Sequence, residues 1–404
     1  MSPQFQRSKL EDLDGIKDLL INCYDFPPPS LDNFGKKFPE IVDEFYSGKD
    51  DENKLLSNAR CIPFEQNIRG VFKSMGGVSI VTSTPEKRRD GNVKQLLVYM
   101  FQKMKENGQV CSTLYPFKDE FYGKKLNYIN CNQSQRLEIN PKWLQKWKKL
   151  PSGYKLNRYN SNNALELYEK VHSKAINHIH GGVRRSSKRW DELFKNAPNT
   201  VIAFNSAGEP EGILKYKNVG YGNQVFGHDN IGTMYISDFY WLTIKGRHSL
   251  FNFLYKHEDQ IEKIYLPINP NHTFYYSWLE GYAKPKISPN LVSMARIIDV
   301  ENCIKGIPVN TEGSIMIRVQ DGECPWNDKM FEIYSQNNVL DLKNSGNNGK
   351  YSKISIKGLT ALIYGTISVK EIEYLNWVKN ITEKERKLLQ NWFPVKNYWM
   401  IEDF

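Results

Sequence analysis

Nowhere does the chain run through 18 apolar residues without interruption, and its first residues, Met1 to Asp14, are polar and charged with no apolar core of the kind a secretory leader needs. Both absences point to a cytoplasmic location and argue against a membrane partner. Cysteine is scarce: Cys23, Cys61, Cys111, Cys131, Cys303 and Cys324 stand far apart, with no C-x-x-C pair and no Cys/His metal spacing. They read as reduced structural thiols, and no metal site is expected. Nor is charge of one sign gathered anywhere. The formal net charge is +10, but Lys and Arg are spread along the chain, so no nucleic-acid partner is expected. The densest basic patch sets Lys142, Lys146, Lys148 and Lys149 among Trp143 and Trp147. Such a mixture can stack on single strands. It fits equally an amphipathic turn between domains, with the two tryptophans at i, i+4 and the lysines in water, and that reading is preferred.

What is present is ordinary globular material. Hydrophobic residues make up 40%, charged residues 25% and aromatic residues 13% of 404 positions, too many for one hydrophobic core, so three domains are expected, at 1–150, 151–290 and 291–404. The first alternates helical and strand patterns, as an α/β layer around a central sheet does. Leu13, Ile16, Leu19, Leu20 and Cys23 space a helix that the prolines after Asp25 end. Ala59 to Gln66 and Gly77 to Ser83 read as strands, and Val93, Leu96, Leu97, Met100 and Met104 as the face of a helix. Val110 to Tyr115 is a further strand and Pro116 opens a short helix. The second domain repeats that order: a hairpin turning at Asn205 to Gly208, a strand from Met234 to Leu242, a helix from His248 to Gln260 and a strand from Ile264 to Leu266. The third, from Met294, reads as an α+β module whose polar stretch Lys343 to Lys350 is a surface loop.

The chemistry concentrates after the strand Gly77 to Ser83, in Thr84-Pro85-Glu86-Lys87-Arg88-Arg89-Asp90-Gly91-Asn92-Val93, which runs into the strong helix. Strand, basic glycine-bearing loop and helix N-terminus together make an anion site, because unpaired amides and the helix dipole face the ligand. Arg88 and Arg89 add charge-assisted hydrogen bonds, and Gly91 lets the backbone come close. Taken alone, the string is equally a solvated turn. A histidine pair, His178-x-His180, places two imidazoles on one face of a strand, but no third ligand follows by spacing.

The order P-x-x-R-x-x-G between an apolar strand and an amphipathic helix resembles motif A of the GNAT acetyltransferase superfamily, whose loop cradles the pyrophosphate of coenzyme A. Downstream, LYPFKDEFYGKKLNY (Leu114 to Tyr128), Asp25-Phe26, GGVRRSSKRWDELF (Gly181 to Phe194), MARIIDV (Met294 to Val300) and the final Phe404 are similar to the enhanced intracellular survival (Eis) acetyltransferases. The resemblance implies an α/β (α+β) chain of two tandem GNAT-like domains followed by a sterol-carrier-protein-like domain. Only the first copy would bind acetyl-CoA, since the second reads Thr243 to His248 (TIKGRH), without the proline and the paired arginines. It further implies that Val81 and Ser83 bind the acetyl and pantetheine groups and that Arg88, Arg89, Gly91, Asn92 and Val93 hold the phosphates. Tyr122 would be the general acid and the carboxylate of Phe404 the base. Asp25, Phe26, Glu402 and Asp403 would line the pocket for a cationic amine such as an aminoglycoside or polyamine, and the chain would be a homo-oligomer, a hexamer. Two departures stand out: Asp90 where a basic or neutral residue is expected, and a run after Tyr122 that is one residue longer, with Asn127 in place of a glycine. Protein-lysine acetylation and non-catalytic acyl-CoA binding are the rival functions.

Overall fold

A computed structural model describes residues 3–131, 134–159, 164–194, 199–220, 232–271, 275–289, 292–345, 351–402 and 404. The chain divides into two compact units: Met1–Cys131 with Ser293–Lys396 and Phe404, and Asn132–Val292 with Asn397–Asp403.

The first unit begins with β1 (Gln4–Arg7), α1 (Leu13–Tyr24), α2 (Pro28–Ile41), β2 (Phe45–Lys49), β3 (Leu55–Ile68), β4 (Val71–Ser83), α3 (Asn92–Glu106), β5 (Cys111–Leu114), α4 (Asp119–Lys125) and β6 (Ile129–Asn130). The apolar stripe expected on α3 is real: Leu96, Leu97, Met100, Phe101 and Met104 are buried against Ala59, Cys61, Val78 and Leu114 of the sheet. Each such side chain contributes about 1.5–3 kcal/mol on leaving water. α1 ends at Tyr24, ahead of the prolines as expected, and those prolines also open a helix that the sequence reading lacks: Pro27 is the N-cap of α2 and Pro28 its first residue, where a fixed φ and a missing N–H cost nothing. Phe38 and Ile41 of α2 then pack with Ile16 and Leu20 of α1. The expected short helix opens at Asp119 rather than at Pro116.

The second unit holds β7 (Gln135–Ile139), β8 (Lys155–Tyr159), α5 (Leu165–Ile176), β9 (Val183–Arg184), α6 (Ser187–Phe194), β10 (Asn199–Phe204), β11 (Pro210–Val219), β12 (Thr233–Trp241), α7 (Ile244–Tyr255), β13 (Lys263–Ile268) and β14 (Lys286–Pro289). Its sheet runs β14-β7-β13-β12-β11-β10-β8, with β12 and β13 parallel. The hairpin β10–β11 turns where expected, with the Asn205 N–H donating to the Glu209 carbonyl at 3.0 Å. The basic, tryptophan-bearing patch is a 3-10 turn, Pro141–Trp147. Leu144 is buried in this unit's core and Trp143 and Trp147 pack on it, so the tryptophans are structural. α7 starts at Ile244, four residues before the expected start, and ends at Tyr255.

β15 (Met294–Ile297), α8 (Val300–Ile304), β16 (Ser314–Gln320), β17 (Met330–Gln336), β18 (Val339–Asn344), β19 (Ser352–Ser355), α9 (Ile356–Tyr364), α10 (Val369–Tyr374), β20 (Val378–Lys379) and α11 (Glu383–Trp392) complete the first unit. β15 leaves the segment read as a third module and pairs antiparallel with β5 and β6. The first sheet therefore follows the order β1-β2-β3-β4-β5-β15-β6, and β18-β17-β16-β19-β20 form a separate sheet. Of the polar stretch Lys343 to Lys350, residues 346–350 lie outside the described residues. Among the described residues, no helix is long and apolar enough to cross a membrane.

Candidate functional site

In the first sheet, β4 and β5 run parallel only from Met75 to Val78 opposite Cys111 to Leu114. β4 then continues to Ser83 paired with β3 but not with β5, which leaves a wedge on that side. Its backbone is irregular there: the β3–β4 register passes from Arg60 opposite Ser79 to Asn58 opposite Thr82, skipping Ile80 and Val81. Ile80 has φ of +52°, a left-handed conformation that strongly disfavours a β-branched side chain. Strain of this kind, about 1–3 kcal/mol, persists only where the surroundings enforce it and clusters at functional sites. The bulge takes Val81 out of the ladder, and the Tyr24 hydroxyl donates to the Val81 carbonyl at 3.1 Å.

Beyond Ser83 a cavity of about 890 Å³ opens, lined among others by Val81, Ser83, Arg88, Arg89, Gly91 and Asn92. Gly91, at φ +87°, is the N-cap of α3 and supplies no side-chain hydrogen bond. The first-turn amides of the helix are therefore not taken by a capping oxygen and stay available to an anion. Arg89 is also left-handed, at φ +74°. Arg88 reaches back to Cys23, whose Sγ accepts from Nη2 at 3.6 Å. Lys118, Lys124 and Lys125 face the cavity from α4 and the turn before it. Among the described residues its one acid is Glu120, which is paired with Lys124. Asp90, the departure that weakened the sequence pattern, is exposed and does not line the cavity. A strongly positive wall with one neutralised carboxylate suits a polyphosphate.

The proposed acid and the chain terminus lie elsewhere in the same unit. Tyr122 is 2% exposed on α4, edge-on to Phe121, Phe117 and Tyr128 with ring centroids 5.1, 5.8 and 6.0 Å away. Burial, reinforced by the neighbouring Tyr24 and Tyr128, pushes its pKa well above the usual 10, so it stays protonated. The end of α4 is fixed by Arg296 of the MARIIDV string. That fully buried guanidinium donates to the Leu126 carbonyl at 2.8 Å and to Asp321 at 2.5 Å, under the ring of Phe101. Asn127 takes φ +59°, as the residue replacing a glycine must. The Phe404 ring rests between Phe64 and Tyr115, at 5.3 and 5.5 Å. It fits because position 77 is glycine: a Cβ there would lie 2.7 Å from Phe64 and 3.1 Å from Phe404.

The residues expected to meet an amine belong to different units, Asp25 and Phe26 to the first and Glu402 to the second. Asp25 is exposed at the left-handed C-cap of α1, and Phe26 packs on the α1–α2 core. Glu402 is 3% exposed and, within the second unit, accepts from Arg185 at 2.6 Å and Arg189 at 3.1 Å. Its charge is thus compensated. Asp403 lies outside the described residues. His178 and His180 sit in a turn after α5, not on a strand, and among the described residues no group of His, Cys, Asp and Glu could hold a metal ion. Sequence reasoning missed the bulge at Ile80, Tyr24, Cys23 and the lysines opposite the loop. Only the last had a signal, the paired lysines of YGKK.

Comparison with known proteins gives these features a family. An acetyltransferase (GNAT) domain model matches residues 4–126, a second GNAT domain model matches residues 181–297, and a sterol carrier protein domain model matches residues 300–401. Among solved structures, a GCN5-related N-acetyltransferase from Anabaena variabilis is similar over 100% of both chains at 19% identity, with a TM-score of 0.86. A probable N-acyltransferase of unknown function from Enterococcus faecalis is similar over 96% of each chain at 20% identity and a TM-score of 0.81. Eis1 from Mycobacterium abscessus covers 100% of both chains at 13% identity and a TM-score of 0.74. No curated protein matches the sequence.

Proposed function

We propose, because this chain belongs to the GNAT acetyltransferases and has the Eis-type order of two GNAT domains and a sterol carrier protein domain, that it transfers acetyl from acetyl-CoA to a primary amine of a cationic small molecule, an aminoglycoside or polyamine. The observation that carries this reading is the uncapped start of α3 facing a basic cavity beside a broken β4. In it, the amides of Gly91, Asn92 and Val93 hold the phosphates with Arg88 and Arg89, while the backbone at Val81 and Ser83 orients pantetheine and thioester. Functionally, the first domain (within 1–150) is catalytic, the second (151–290) degenerate and the third (291–404) sterol-carrier-like.

The amine nitrogen attacks the thioester carbonyl, and the departing thiolate needs a proton. Tyr122, protonated through its burial, gives it. The terminal carboxylate of Phe404 receives the amine's proton. An α-carboxyl group ordinarily has a pKa of about 3.5, so position, and not basicity, would make it effective. Asp25, Phe26 and Asp403 are the proposed amine contacts. Glu402 belongs with them by resemblance, but its ion pairs suit it to anchoring the tail. By the same resemblance the protein is a cytoplasmic homo-oligomer, a hexamer.

Release of free thiol from acetyl-CoA across a panel of an aminoglycoside, spermidine and a lysine-bearing peptide tests the reading. Turnover is expected with the small cationic amines. Turnover with the peptide alone would favour protein-lysine acetylation, and none at all despite acetyl-CoA binding would leave a cofactor-binding protein.

A further inference from the structure

The second unit has a cavity of its own, of about 510 Å³, within the range of small-molecule pockets. It lies where this unit's parallel strands part. β12 and β13 are paired only from Thr233 to Tyr235 opposite Lys263 to Tyr265. Past that pairing, the cavity is lined by Phe239, Tyr240 and Trp241 of β12 and by Pro267 and Ile268 of β13. The first unit opens its wedge at the same point of its sheet.

The phosphate half of a coenzyme site is closed here. Thr243 caps α7, its hydroxyl accepting from the Gly246 N–H at 3.0 Å and donating to the Glu211 carboxylate at 2.5 Å. A Cβ on Gly246 would come within 2.4 Å of the Glu211 carbonyl oxygen, so β11 presses directly on the helix start. With the Gly246 amide spent on the cap and β11 pressed against it, this helix start is a poor seat for an anion. The aromatic half persists, with Trp278 and Trp399 completing the walls.

The lining also has a sign. It contains no Asp or Glu among the described residues, but it does contain Lys174, His178 and the amides of Asn177, Asn269 and Asn271. Arg247 stands over Trp241 and Trp278, 5.5 and 5.3 Å from their centroids, which adds positive potential behind the same walls. Those indole faces are thus already engaged by a cation, which disfavours a cationic guest. Trp399 is 4% exposed, and its indole N–H finds no partner among the described residues. A buried donor left open in this way costs free energy until an acceptor arrives.

We infer that this cavity binds a small planar aromatic carboxylate, its ring between the tryptophan and tyrosine walls and its carboxylate toward Lys174 and His178. Ring stacking supplies most of the contact area, and the lysine supplies the preference for an anion.

The test uses the full chain with 2-naphthoate and 2-naphthylmethylamine as probes of equal ring and opposite charge, followed by equilibrium dialysis and by quenching of tryptophan fluorescence. The carboxylate is expected to bind saturably, one molecule per chain, and the amine much more weakly. Saturating coenzyme A should not displace it. Lys174→Glu, at an exposed position, should weaken binding about tenfold, and Ala175→Phe should abolish it by filling the cavity. Should Ala175→Phe fail to fold, Lys174→Glu carries the test. Equal binding of the amine, displacement by coenzyme A, or an unchanged affinity in Lys174→Glu would each overturn the assignment.

Discussion

α3 and α7 begin at corresponding places in two copies of one fold, and their first turns have opposite chemistry. α3 opens on Gly91, left-handed and without a capping side chain, with Arg88 and Arg89 exposed before it. α7 opens on Thr243, whose hydroxyl takes the Gly246 amide and is itself held by Glu211. A helix start is an anion site only while its amides are unspent, so one threonine and one glutamate suffice to convert a ligand cradle into a stable cap. The proposed function places coenzyme chemistry in the first unit alone, and the contrast can be broken at either end.

The largest effect is expected at the acid proposed for the first unit. Tyr122→Phe should lower kcat by about 10²-fold or more with little change in KM for acetyl-CoA. Because burial holds the Tyr122 pKa above its usual value, the wild-type kcat should show no fall from this group as pH rises to about 10. Steady-state kinetics across pH checks both points. Next, reversing the loop's charge in Arg88→Glu/Arg89→Glu should raise KM for acetyl-CoA roughly tenfold to a hundredfold and leave the melting temperature nearly unchanged, since both side chains are exposed. Gly91→Ala meets no steric obstacle nearer than 3.6 Å, but it must hold φ at +87°. A cost of about 1 kcal/mol should appear in stability, and KM should rise several-fold.

The smaller effects belong to the second unit. Thr243→Ala should cost about 1 kcal/mol of stability by calorimetry and leave acetyl-CoA kinetics alone; a change in KM would show that this loop still contacts the cofactor. Asp238 sets the acid limit of the unit. Burial alone would raise its pKa, yet Arg185, then Lys215, outweigh it and hold the carboxyl well below the usual range. A depressed acid contributes stability that is present above its unfolded pKa of about 4 and is lost as pH falls toward the folded value. Denaturant melts should therefore weaken below about pH 4, and Asp238→Asn should be less stable at pH 7 and lose less on acidification.

Features of short range were legible in the sequence: the stripe of α3, the glycine-bearing loop, the hairpin at Asn205 to Gly208, and the missing arginines of the second copy. What escaped is long-range or contextual. β15 pairs with β5, so Met294 lies opposite Leu114, a partner no local period announces. The left-handed Ile80 violates its own propensity and is held by the sheet around it. Pro28 and Pro29 break a helix or start one according to position, and only α2's register decides which. Glu402 looked like a free acid near the terminus until Arg185, 217 positions away, claimed it.

Titration of coenzyme A into the intact protein, the heat being read by calorimetry, tests the division between the two units most directly. One site per chain is predicted, weakened roughly tenfold to a hundredfold in Arg88→Glu/Arg89→Glu and intact in Thr243→Ala. Two sites per chain, or a single site whose affinity is unchanged by the charge reversal, would contradict it.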